Sequence, residues 1–112
     1  MIDTVDRIKT LEQLYTFTRP EQVAHYLQTY PLLVPTLLEA HERLLRLFGP
    51  VQVRLEVVKE PELPGYTTLF GYIVTSLAPD EAGKRLQQFD RSWFLQQMSR
   101  LQGRLNFDVE WA

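Results

Sequence analysis

Three carboxylates on β-patterned segments are the residues of this chain best suited to chemistry. In Arg104-Leu105-Asn106-Phe107-Asp108-Val109-Glu110-Trp111 polar and apolar side chains alternate, so Asn106, Asp108 and Glu110 share one face of a strand. The run Val51 to Val57 alternates in the same way and puts Arg54 and Glu56 on its polar face. With the two strands side by side, Glu56, Asp108 and Glu110 fall within reach of one divalent cation, as a metal-dependent hydrolase or nuclease requires. The competing expectation is a solvated sheet face on which Arg54 compensates the acids. An open face lacks the burial that perturbs catalytic carboxylates, so the metal site is carried as the alternative.

The other chemistry-bearing types are dispersed. His25 and His41 fall on separate helical segments with no cysteine or carboxylate at ligand spacing. His41 is expected to be structural, hydrogen-bonded at the edge of the core. Ser76, Ser92 and Ser99 lack the Gly-x-Ser-x-Gly frame of a nucleophile elbow, and the five glycines are too scattered to cradle a phosphate. No catalytic or cofactor-binding residue is assigned and no cofactor is expected. Phe70 and Tyr72 have the parity opposite to Leu69 and Ile73, so one pair lies on the polar face unless Gly71 resets the register as a bulge. An exposed pair there makes an apolar patch of the kind that marks partner surfaces. The candidate interaction residues are therefore Arg54, Glu56, Phe70 and Tyr72.

The elements that must position these residues follow from hydrophobic period. Val5, Ile8, Leu11 and Tyr15 form one helical stripe. Thr18, with Pro20 and Glu21 behind it, reads as the capping box of a second helix running to about Gln28. Leu33, Leu37, Ala40, Leu44 and Leu47, flanked by Val34, Leu38, Leu45 and Phe48, predict a buried central helix that stops at Gly49-Pro50. The strands Val51–Val57 and Thr67–Ser76 are joined by a turn-rich connection and should be antiparallel neighbours, with Gly71 marking a bulge or a close backbone approach. Pro79 opens a helix whose stripe Ala82, Leu86, Phe89 and Trp93 slips by one residue to Phe94, Met98 and Leu101. That slip predicts a bend near Ser92, where Ser92 can cap a second segment. Phe89, Trp93, Phe107 and Trp111 lie on apolar faces, and Leu37, Leu44, Leu55, Phe89, Trp93 and Phe107 are expected in one core.

The predicted fold is a single α+β domain over residues 1–112: three helical segments, then β-β-α-β. The expected sheet has three strands with helices on one face. Placing the Val51 strand at its centre makes every pair antiparallel.

Composition limits the function classes. The formal charge is −2, spread evenly, with five basic and six acidic groups in residues 1–48. A mildly acidic chain with no basic cluster is a poor partner for nucleic acid. No apolar run reaches membrane-spanning length, and the first residues lack a basic segment followed by an apolar one, so neither membrane insertion nor export is expected. The absence of cysteine suits a reducing compartment, and a cytoplasmic location is the expectation.

Several segments together resemble a family of small bacterial α+β proteins, mainly cyanobacterial, for which no activity, cofactor or catalytic residue is established. They are Leu32-Leu33-Val34-Pro35 through Phe48-Gly49, Leu55-Glu56-Val57-Val58, Thr75 to Ala82, Phe89-Asp90-x-x-Trp93 and Asn106-Phe107-Asp108-Val109-Glu110. The resemblance spans roughly Pro20 to Trp111. It implies a bacterial origin, an α+β fold and an accessory protein encoded beside a second small helical protein, and it transfers no site. The expected function is a non-enzymatic protein-interaction or accessory module, a homodimer or part of a hetero-complex. The alternatives are the metal-dependent hydrolase and an antitoxin-like regulator paired with a neighbouring gene product.

Overall fold

The computed structural model describes residues 4–112. Its order is α1 (Thr4–Leu14), β1 (Thr16–Phe17), α2 (Pro20–Thr29), α3 (Leu33–Phe48), β2 (Gln52–Lys59), β3 (Thr67–Thr75), α4 (Pro79–Phe89), a π-helical turn (Asp90–Phe94), α5 (Leu95–Leu101) and β4 (Leu105–Trp111). The strands form one mixed sheet in the order β1-β2-β3-β4. The α+β class is as expected, whereas the sheet has four strands and not three.

The strand order corrects the expectation in a second way. The β2–β3 pair is antiparallel, from Gln52↔Val74 to Lys59↔Thr67, but β4 pairs with β3 in parallel, from Leu69↔Leu105 to Thr75↔Trp111. The centre is therefore shared by β2 and β3. The helical connection over residues 76–104 carries the chain back to the same end of the sheet, which is how a crossover builds parallel neighbours. The extra strand, β1, pairs with β2 in parallel through Thr16↔Arg54 and Phe17↔Leu55. A strand of two residues is too short to show alternation.

Gly71 makes the β3–β4 neighbourhood possible. A Cβ there would stand 2.6 Å from Phe107 Cε1, and register sets Gly71 directly beside Phe107. The strand is continuous through Gly71, so the close approach is realised and the bulge is not: Leu69, Gly71, Ile73 and Thr75 face the core, and Phe70, Tyr72 and Val74 face away. The Phe107 ring cannot yield. It meets Phe89 (5.2 Å, 79°) and Phe94 (5.2 Å, 85°) edge to face, and both rings are fully buried.

The slip predicted near Ser92 is the π turn, whose extra residue lets consecutive Trp93 and Phe94 both point inward. Ser92 does not cap a new segment, because helical backbone runs through without a side-chain cap. Leu37, Leu44, Leu55, Phe89, Trp93 and Phe107 are all in the core. Trp111, expected on an apolar face, is 52% exposed at the end of β4. The Thr18 capping box is also absent. The Thr18 N–H donates to Leu55 O at 2.8 Å, which ties that residue to the sheet edge. The chain then enters α2 through Arg19 in the left-handed region, φ 52°, with no side-chain cap.

Buried polar groups are matched. Tyr15 donates its hydroxyl to Leu37 O at 2.6 Å, and burial pushes that hydroxyl far above the usual tyrosine range. His41 packs edge-on against Tyr15 at 5.3 Å, and burial lowers its pKa. Among the described residues, no helix is long and apolar enough to cross a membrane.

Because Phe107 is held on two sides, Gly71→Ala should destabilise the fold by about 1–3 kcal/mol in urea denaturation, the usual cost of overpacking. Combining it with Phe107→Leu, which vacates the space the methyl needs, should cost less than the sum of the two single changes. A Gly71→Ala effect below about 0.5 kcal/mol would contradict the close approach.

Candidate functional site: the open sheet face

The helices cover one side of the sheet, and the other side is formed by alternate residues of β2, β3 and β4. Register lays these out in rows across the strands. Arg54, Tyr72 and Asp108 make one row; Glu56, Phe70 and Asn106 the next; Gln52, Val74 and Glu110 a third. All six residues singled out in the sequence, Arg54, Glu56, Phe70, Tyr72, Asp108 and Glu110, therefore share this face.

Arg54 organises it. Its guanidinium lies 4.6 Å from the Tyr72 ring centroid and crosses the β3 strand to Glu110, with Nη2 donating to Oε1 at 2.6 Å and Nε to Oε2 at 3.3 Å. This is the bidentate fork for which arginine is suited and lysine is not. Nη1 donates to Thr18 Oγ1 at 2.9 Å and to Glu56 Oε1, and Arg19 Nη2 donates to the other Glu56 oxygen at 2.9 Å. One side chain thus links all four strands or their ends. The hydrogen bonds that Arg54 donates to Glu110, then those it donates to Glu56, hold it above the ordinary guanidinium range. The hydrogen bond from Arg54 holds Glu110 below the ordinary carboxylate range. Burial, and then the nearby Glu56 charge, raises the Tyr72 phenol.

This geometry does not assemble a metal site from the candidates Glu56, Asp108 and Glu110. Glu56 and Glu110 direct their oxygens to arginines, while Asp108 turns back so that Oδ1 accepts the Val109 N–H at 2.8 Å. Among the described residues, no group of three or more His, Asp or Glu side chains is placed to hold a cation. His25 is exposed on α2, and His41 is packed on Tyr15, so neither joins this face.

The apolar part of the face is the Phe70–Tyr72 pair, stacked at 5.6 Å and 15°, each ring half-buried. The sheet edges beside it are blunted. At one side β1 has only two residues. At the other, the parallel register turns the N–H groups of Phe107 and Val109 outward, and the side chains of Asn106 (2.9 Å) and Asp108 (2.8 Å) accept them. Donors already bonded do not recruit a further strand. Thr16, Thr18 and Arg19 are members of this site that the sequence reading missed, since β1 carries no periodic signal. Gln52 Nε2 donates to Thr16 Oγ1 at 2.8 Å.

Removing the cation should leave two half-buried carboxylates opposed. We expect Arg54→Met to cost about 1–2 kcal/mol and Glu110→Gln less, with a coupling of about 0.5–1 kcal/mol in the double-mutant cycle. A coupling of zero would mean the fork is not formed in solution. The Glu110 pKa is lowered by folding, so its contribution is fully present above the ordinary glutamate value and is lost as pH falls below it. The melting temperature of Glu110→Gln should accordingly converge on that of the parent in acid.

No protein-family model, curated protein or solved structure matches this chain, so the reading of the site rests on its own geometry.

Proposed function

We propose that the protein is a non-enzymatic interaction module whose contact surface is the open sheet face, and that its occupant is a second copy of the chain. The observation that carries this is the stacked Phe70–Tyr72 pair on an uncovered face whose two flanking edges are both blunted. An apolar patch framed by charge is the usual anatomy of a partner surface.

The charges favour self-pairing. Arg19 flanks the β1 side with its side chain 60% exposed, and Asp108 is exposed on the β4 side. A two-fold axis parallel to the strands sets β1 of one protomer over β4 of the other, so each Arg19 meets the partner copy's Asp108 and the aromatic pairs meet near the centre. Such an isologous contact gives each Asp108 a cation and each Arg19 a second carboxylate beside Glu56. Four strands spaced by about 4.8 Å, the longest of nine residues at about 3.3 Å each, give a face of roughly 400 Å² in projection. That is about half the usual per-partner area of a stable interface, so the association belongs to the weak, exchangeable class. A metal-dependent hydrolase is disfavoured by the carboxylate orientations, and an antitoxin-like role has no residue-level support.

Sedimentation over a series from tens to hundreds of micromolar tests this. The parent should show a reversible dimer that Phe70→Asp with Tyr72→Asp abolishes without changing the circular dichroism. Arg19→Glu and Asp108→Lys should each weaken the dimer, and the two together should restore it. A parent that stays monomeric throughout, or a swap that fails to restore association, overturns the homodimer.

A further inference from the structure

A second site lies at the end of the sheet where β4 begins, away from the Phe70–Tyr72 patch. The α5 helix stops at Leu101, and the chain turns through Gln102 (φ 53°) and Gly103 (φ 73°), both left-handed, with Arg104 N–H donating to Leu101 O at 3.0 Å. The turn brings Arg100 and Arg104 to one cavity of about 270 Å³, whose other wall is the α2–α3 junction, Tyr30 to Leu33. A non-glycine residue in the left-handed region is a strained choice for a plain helix stop.

The two arginines differ from most others in the chain. Arg19, Arg43, Arg46, Arg54 and Arg85 each pair with a carboxylate, whereas among the described residues neither Arg100 nor Arg104 does, and no acidic side chain lines the cavity. Arg104 is nonetheless held in place. Its guanidinium lies 4.6 Å from the Tyr30 ring centroid and 4.7 Å from that of Tyr66, and Nη1 donates to Thr67 O at 3.2 Å. Arg100 is oriented by Gln97 Oε1 at 2.7 Å and Thr36 Oγ1 at 3.1 Å. The rest of the lining is mainly apolar, and Leu32 stands 61% exposed at it.

We propose that this cavity binds a carboxylate carried on a short apolar stem, with the free donors of Arg100 and Arg104 taking the carboxylate and Pro31, Leu32 and Leu33 taking the stem. Guanidinium groups match the planar carboxylate fork, and an arginine held against two rings loses little rotamer freedom on binding. The apolar wall argues for a stem and against a bare inorganic anion, whose hydration it would strip without replacement. The cavity lies just below the usual ligand-pocket range, which fits a small ligand such as a medium-chain fatty acid or the C-terminal residue of a peptide. The chemistry is common to the two.

Isothermal titration and amide chemical-shift mapping test the site with octanoate, octanamide, N-acetyl-leucine, N-acetyl-leucinamide and inorganic phosphate. Octanoate or N-acetyl-leucine should bind at least about tenfold tighter than its own amide, with shifts at Leu33, Leu101 and Gln102. The tighter of the two carboxylates identifies the source as a fatty acid or a peptide terminus. Arg100→Gln, at an exposed position, and Leu32→Asp should each weaken binding by about tenfold, while Arg104→Lys should retain part of it. Phe70→Asp should leave it unchanged, which separates this site from the dimer face. Equal binding of acid and amide, phosphate binding as tightly as octanoate, no binding of either carboxylate up to its solubility limit, or undiminished binding by Arg100→Gln overturns the proposal.

Discussion

A sheet covered by helices on one side only must hold its other side together in water, and here that task falls to the Arg54 guanidinium, which reaches from β2 over Tyr72 to Glu110 on β4. On the core side of β3, the strand that carries Tyr72, Gly71 lets Leu55 and Phe107 close over the backbone. β3 is thus gripped on both faces at adjacent residues, by a charged fork outside and by aromatic packing inside. The position of β4 depends on both. Exposed ion pairs contribute little individually, but this one is bidentate, sits over an aromatic ring and is only 23% exposed at Arg54.

That arrangement also decides what the face can do. Carboxylates engaged by arginine are stabilised as anions, and the lowered pKa of Glu110 follows from the hydrogen bond it accepts. A general acid needs the opposite shift. Arg19 and Arg54 therefore neutralise Glu56 and Glu110, and leave the Phe70–Tyr72 stack and the exposed Asp108 as the distinctive parts of the face. Along the outer edge of β4 the N–H groups of Phe107 and Val109 are already bonded by Asn106 and Asp108.

Much of this was legible in the sequence because it depends on period. The alternation of β2 and β4 puts Arg54, Glu56, Asp108 and Glu110 on polar faces and leaves open which pair of β3 joins them, and the one-residue slip at Ser92 marks the irregularity that the structure resolves as a π turn. What failed were features set by tertiary context. A β1 of two residues has no period, and once Thr18 is drawn to the sheet by Leu55 and Arg54 its hydroxyl is no longer free to cap α2. The strand order differs because an all-antiparallel sheet centred on the Val51 strand follows from connectivity alone, whereas the close approach of Phe107 to Gly71 sets β4 beside β3 in parallel. Trp111 obeyed its parity but lies at the strand end, where relatively little covers it. The Arg100–Arg104 cavity had only the Gln102-Gly103 helix stop as a signal, since its opposite wall comes from residues some seventy positions earlier.

The central claim is that the uncovered sheet face, and neither an edge nor the helical layer, carries the protein's contacts. Amide chemical shifts followed across a dilution series test it residue by residue. The account predicts concentration-dependent shifts confined to Arg54, Glu56, Phe70, Tyr72, Asn106, Asp108 and their immediate neighbours, and none along α1 or α3. Shifts concentrated on the helices or along the outer edge of β4, or a spectrum that does not change with concentration, would contradict it.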